Sequence, residues 1–245
     1  RSTLFPYTTL FRSARLKNAG IPAVGFSTTL FEDYSTIDTF NAWVDLLAEV
    51  LDKEDQAPGI KEYGEKALET VRSRVGDLKD DEKPNALILV NYNENVLVAG
   101  GTSFANYWIT TAGGKNLGYE VGAFVGPVNM EQVYEWNPEV LYLNNFSAYT
   151  VDQILNSQAK EGDDWSGITA VQNGRVYKIP RGTYTWFPPS SDAPLNLLFM
   201  AKTMHPDLFE DIDMEEEIRN YYQNLFHYEL TDEDIHEILN PTAGM

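Results

Sequence analysis

The chain contains no cysteine, which excludes disulfides, thiolate zinc sites, iron–sulfur ligation and thiol nucleophiles together. That absence is compatible with either side of a membrane. No apolar run approaches the roughly 20 residues of a membrane-spanning helix, and no signal peptide opens the sequence as it stands. Positive charge is scarce: 18 Lys and Arg against 37 Asp and Glu leave a net charge of −19. A phosphate backbone would be repelled at every approach, so nucleic acid is not an expected partner.

Catalytic motifs are missing as well. Gly100-Gly101 and Gly113-Gly114 lack both the dinucleotide spacing and the P-loop lysine, and read as a strand–helix turn and a helix stop. His205, His227 and His236 lie in the helical tail, and the last two do not have the i, i+4 spacing of a helical metal pair. Ser103, Ser190 and Ser191 have no histidine nearby in sequence, and no G-x-S-x-G elbow occurs. The expectation is therefore no catalytic residue, no metal site and no cofactor.

What is present suffices for a real core: 43% hydrophobic residues and five tryptophans in 245 residues, enough for one large domain or two small ones. Thr3–Ser13 (TLFPYTTLFRS) reads as the translation of a sequencing-adaptor oligonucleotide, so residues 1–13 are set aside as foreign. The native protein is then expected to begin upstream, with any signal peptide or lipid-anchor cysteine there. Ala14–Gly20 reads as a helix end stopped by Gly20, and Ile21–Phe26 as a strand. Ile37, Phe40, Val44, Leu47 and Leu51 recur at helical spacing. After Pro58-Gly59, a second helix carries Ile60, Tyr63, Ala67, Val71 and Val75. Gly76–Pro84 is a charged, proline-ended boundary.

Beyond it the pattern alternates. Ala86–Val90 (ALILV) reads as a strand covered on both faces, and Asn95–Ala99 as a second strand. Helix is predicted over Phe104–Ala112, and strand over Val140–Leu143 and Val176–Ile179. Asn129 with Gln132 resembles a capping box opening Met130–Trp136; Thr231 with Asp234 resembles another before Ile235 and Leu239. Val151–Leu155, Trp165–Val171 and the stretch from Leu195 to Met204 complete the helices. Such alternation predicts a doubly wound, Rossmann-like α/β lobe from about residue 84 onward.

In open α/β sheets ligands bind outside the carboxyl ends of the strands. Two loops follow buried strands here, Asn144-Asn145-Phe146 and Arg181–Trp186 (RGTYTW). Arg181 offers a planar fork of donors suited to oxyanions. Tyr184 and Trp186, two residues apart, would share one side of an extended loop and form a stacking wall. Asn144 and Asn145 add amide donors and acceptors, and Tyr92 and Asn93 complete a rim. The plain alternative is that Trp186 covers the core and Arg181 pairs with a local acid.

Four segments resemble the substrate-binding proteins of ABC importers for metal chelates, those taking ferric siderophores, cobalamin or haem. They are Gly100–Asn116, Val128–Leu143, Trp165–Ile179 and Phe209–Leu239, in that order. The resemblance implies two α/β lobes joined by a long helix with the ligand held between them. Residues 14–35 would be a remnant of the first lobe, 36–83 the interlobe helical region and 84–245 the ligand-binding C-terminal lobe. It also implies that Glu131 docks on the transmembrane permease and that Trp186 stands where relatives contact ligand. The implied protein is extracytoplasmic (periplasmic or lipid-anchored), monomeric and not an enzyme, with membrane contact only through an anchor or the permease. A molybdate-like oxyanion is the nearest competing ligand; an α/β enzyme on a small metabolite, or a receptor or adhesion domain without a permease, are the competitors from other classes.

Overall fold

A computed structural model describes residues 14–92 and 95–242. The expected adaptor-derived stretch 1–13 and the candidate Asn93 lie outside the described residues. A six-stranded mixed sheet forms among them, with strand order β4-β2-β1-β5-β6 and a short β3 paired with β1. The strands are β1 (Asn85–Tyr92), β2 (Val96–Ala99), β3 (Lys115–Asn116), β4 (Val125–Val128), β5 (Val140–Leu143) and β6 (Val176–Lys178). β1, β5 and β6 run parallel, whereas β2 is antiparallel to both β1 and β4.

Parallel strands buried on both sides read as unbroken apolar runs, and the packing of β1 shows why. Ala86 and Ile88 enter one core with Val71, Trp108 and Met200. Leu87 and Leu89 enter the other with Val133, Leu141, Leu143 and Trp165. The first face is covered by α2 (Pro58–Val75), α3 (Phe104–Thr111), α7 (Ala193–Met204) and α8 (Met214–Phe226); α4 (Met130–Trp136), α5 (Val151–Leu155) and α6 (Thr169–Gln172) lie on the second. α9 (Asp232–Leu239) closes the described chain.

Of the two expected capping boxes one is complete and the other, at Asn129, makes only its first bond. Asn129 accepts from the Gln132 amide at 2.9 Å. Thr231 and Asp234 exchange both bonds of a capping box. Residues 36–75 carry two α-helices, α1 (Thr36–Leu51) and α2, with Asp52 left-handed at the break and Pro58 in the first turn of α2. The C-terminus of α2 is fastened by Arg74, which donates to Asp211 at 2.6 and 2.9 Å and to the Leu208 carbonyl.

Two local expectations are corrected, and one strand was missed. Ile21–Phe26 is not a strand, because no neighbouring strand pairs with it among the described residues. The predicted helix Trp165–Val171 shrinks to Thr169–Gln172, with Trp165 buried in a turn. β4 was not anticipated; its Gly126 and Pro127 are strand breakers tolerated at a sheet edge, which is where β4 lies.

His205 ends α7, buried, with Nε2 at 3.1 Å from the Gly113 carbonyl. Burial, chiefly, holds its pKa below the ordinary 6.5. Below that pH the unfolded chain takes up a proton that the folded chain refuses. Stability is therefore full above about pH 6.5 and is lost as pH falls toward the depressed folded value. Urea unfolding at pH 7.5 and 5.5 should show this slope in the wild type and a smaller one in His205→Gln; equal slopes would dismiss it.

Candidate functional site

The carboxyl ends of β1, β5 and β6 finish side by side, because the register aligns Leu89 with Leu143 and Leu143 with Lys178. The ladder runs on into the loops: the Asn144 amide donates to Leu89 and the Ile179 amide to Leu143, both at 2.8 Å. The 144–146 and 181–186 loops are thus adjacent, as the sequence led one to expect.

Asn145 joins them. Its side-chain amide donates to the carbonyls of Ile179 and Pro180, and its oxygen accepts from the Thr185 hydroxyl. Asn144 makes a local turn, its side-chain oxygen accepting from the Phe146 amide at 3.0 Å. Both asparagines are buried, so their side chains build the platform rather than offer groups to a ligand. Behind them the buried Lys178 ammonium donates to the carbonyls of Ser147 (3.2 Å), Tyr149 (3.4 Å) and Thr242 (3.4 Å). Burial lowers its pKa.

The expected rim at Tyr92 is corrected too. Tyr92 is 1% exposed, packed edge-on against Trp165, with its hydroxyl donating to Asp163. It is a core ring with a satisfied polar tip. The expected wall of Tyr184 and Trp186 does not form either. Arg181 pairs with Thr185 across a tight turn in which the Gly182 amide donates to the Tyr184 carbonyl at 3.0 Å. Tyr184 sits at the tip, 54% exposed, whereas Trp186 is fully buried against Phe199. The plain alternative for Trp186, a cover on the core, is what the fold contains.

Phe146 (55% exposed), Tyr184 and Arg181 face outward on this platform, as does the smaller Thr183. Among the described residues the Arg181 guanidinium makes no ion pair, although its own amide is held by the Ile238 carbonyl at 3.0 Å. A cavity of about 560 Å³ opens beside it, lined also by Thr183, Tyr222, Asp234 and Glu237. Glu131 is exposed in the first turn of α4, where the helix dipole favours a carboxylate. No group of three or more histidine or acidic side chains is placed to hold a metal among the described residues.

Sequence reasoning missed Asp192. It occupies the N-cap position of α7, signalled by Ser-Ser-Asp before Ala-Pro, but caps nothing with its side chain. Fully buried, it accepts instead from the Thr183 amide (2.9 Å), the Thr183 hydroxyl (3.0 Å), the Trp186 indole (3.1 Å) and Tyr222 (3.2 Å). Burial raises its pKa, and the bonds from Thr183, Tyr222 and Trp186 act against that rise.

Residues 15–182 match the family described as periplasmic binding protein. Over 196 residues the chain is 26% identical to the molybdate-binding protein MolA of Haemophilus influenzae, covering 80% of this chain and 54% of that one. It is 23% identical over 152 residues to the high-affinity heme uptake system protein IsdE of Staphylococcus aureus, covering 61% of this chain and 51% of that one. The chain thus spans about half the length of the curated relatives it matches. Among solved structures, a periplasmic solute binding protein from Veillonella parvula superposes with a TM-score of 0.82 at 32% identity, over 94% of this chain and 67% of that one. MolA bound to molybdate superposes at 0.73 with 22% identity, over 92% of this chain and 71% of that one, a likeness of fold. With the family matched across most of its length and the fold shared with a solute-binding protein, this chain belongs to the periplasmic binding protein family.

Proposed function

We propose that this chain supplies one jaw of an extracytoplasmic solute-binding protein that captures a metal chelate (a ferric siderophore, cobalamin or haem) and hands it to an ABC permease. The observation that carries the ligand class is the character of the outward groups: two exposed rings, Phe146 and Tyr184, on the same pair of adjacent loops as Arg181, which makes no ion pair among the described residues. Rings offer broad apolar contact to a bulky ligand, and the guanidinium a fork for its anionic oxygens. The amides of Arg181, Gly182, Thr183 and Trp186 are already bonded within the protein, as are those of Asn144 and Phe146. A compact oxyanion site needs such amides free. The second reading, an oxyanion, is favoured by the likeness to the Haemophilus molybdate-binding protein.

The opposite jaw is assigned to the part of the longer relatives that this chain does not span. The outer side of α1 supports this, with Leu47, Val50 and Leu51 exposed. We assign residues 36–83 to the interlobe region and 84–245 to the jaw itself. One jaw grips one side of a ligand, so its own affinity is expected to be weaker than about 1 µM, ~−8 kcal/mol.

Calorimetric titration with a ferric tris-catecholate, haemin, cyanocobalamin and molybdate separates the readings. Heat from one of the chelates, weakened about 10- to 100-fold by Arg181→Ala, is expected. Binding of molybdate alone would replace the chelate reading, and submicromolar chelate binding would remove the need for a second jaw. In the same series Glu131→Ala should leave affinity unchanged while lowering uptake by the producing cell, since its proposed partner is the permease.

A further inference from the structure

The buried carboxylate beneath the 181–186 turn has no ordinary structural task. Asp192 does not cap α7, and among the described residues no cation contacts it. The negative charge is tolerated because it lies at the positive end of a 12-residue helix and meets several donors. Most of those donors come from the 181–186 turn. Thr183 contributes its amide and hydroxyl, and Trp186 its indole, so the carboxylate grips the turn on both sides of Tyr184. Tyr222 of α8 closes the set, its oxygen 2.9 Å from the same Thr183 amide.

Gly182 shows how closely the backbone is drawn in. A Cβ there would stand 2.5 Å from Asp192 Oδ2 and closer still to the Tyr222 oxygen. A side chain at 182 would therefore push the turn off the carboxylate. Arg181 and Tyr184, the outward groups, flank Gly182 and Thr183, and inherit their placement from this anchor.

We infer that Asp192 is the positioning residue of the ligand loop, a buried carboxylate that gathers Thr183, Trp186 and Tyr222 and so sets where Arg181 and Tyr184 are presented. The ligand half of this rests on the chelate-binding reading above; the loop-holding half does not. Asp192→Asn keeps the shape but turns one acceptor oxygen into a donor facing donors, which removes the grip without opening a cavity.

Amide hydrogen exchange tests the loop-holding half without any ligand. In Asp192→Asn the Thr183 amide should exchange about tenfold faster, with the amides of β1 and β5 unchanged. The Trp186 indole proton, assigned by its loss in Trp186→Phe, should shift in the magnetic resonance spectrum. Thr183→Val, at an exposed position, removes one donor and should show the same pattern more weakly, which keeps the test open if Asp192→Asn folds poorly. Unchanged exchange at Thr183, or equal acceleration across the whole chain, would overturn the inference. Titration with the ferric tris-catecholate then tests the ligand half. Affinity should fall about tenfold in Asp192→Asn. A loosened loop with undiminished affinity would overturn the ligand role of the loop itself and leave its anchoring intact.

Discussion

Trp186→Ala is expected to lower the unfolding free energy by about 3–5 kcal/mol, the range for truncating a large buried aromatic side chain. Its side chain is fully buried, edge-on to Phe199, and its indole nitrogen donates to Asp192 at 3.1 Å. Truncation therefore does two things at once: it leaves a cavity beneath the 181–186 turn and takes one donor from a buried carboxylate. Tyr184, two residues away, is half exposed, and Tyr184→Ala is expected to stay within about 0.5 kcal/mol of the wild type. Urea denaturation of the two variants should separate them cleanly. The ligand titrations should give the reverse order, with Tyr184→Ala weakening chelate binding at unchanged stability. A Trp186→Ala protein as stable as the wild type, but unable to bind, would mean that the ring reaches the ligand after all.

The second large effect is expected at Asn145. Replacing it with alanine removes both bonds its amide gives to the Ile179 and Pro180 carbonyls and the acceptor of the Thr185 hydroxyl. These partners lie around a side chain that is 2% exposed, so water does not readily replace what is lost. Each buried group left unpaired costs about 1–3 kcal/mol, so two of the three left without a new partner put the substitution at roughly 2–6 kcal/mol. Exchange should quicken in both loops together, because Asn145 is the tie between them. Phe146→Ala, next in sequence but exposed, should leave stability within about 0.5 kcal/mol. If Asn145→Ala proved as stable as Phe146→Ala, the two loops would be held by something other than this side chain.

The contrast between neighbours explains how much of the site could be read in advance. That both loops would lie at the carboxyl ends of covered strands follows from the apolar runs before them; that β5 and β6 are neighbours, so that the loops meet, is a fact of the fold. Which side chains face outward does not follow. Alternation along an extended chain puts Tyr184 and Trp186 on one side, but the chain turns at Gly182–Tyr184 and sends them to opposite environments. Asn144, Asn145 and Tyr92 look like free polar groups in sequence; their bonds are made with residues between 2 and 71 positions away, and only folding brings the distant ones within reach. β4 escaped detection because Gly126 and Pro127 weigh against a strand by local rules that a sheet edge relaxes. Ile21–Phe26 failed in the opposite direction, having a strand's composition and no partner among the described residues.

By itself the sequence determined what this chain lacks: cysteine, a phosphate-loop motif and a G-x-S-x-G elbow, with 37 acidic residues against 18 basic ones. It also determined the alternation of strands and helices and the motifs that mark a solute-binding protein, because periodicity and capping are local properties. Tertiary structure alone decided which loop residues face outward and which are packed beneath them. Burial and hydrogen bonding depend on what the rest of the chain brings alongside: it left Arg181, Phe146 and Tyr184 facing outward and put Trp186, Asn145 and Asp192 to work beneath them.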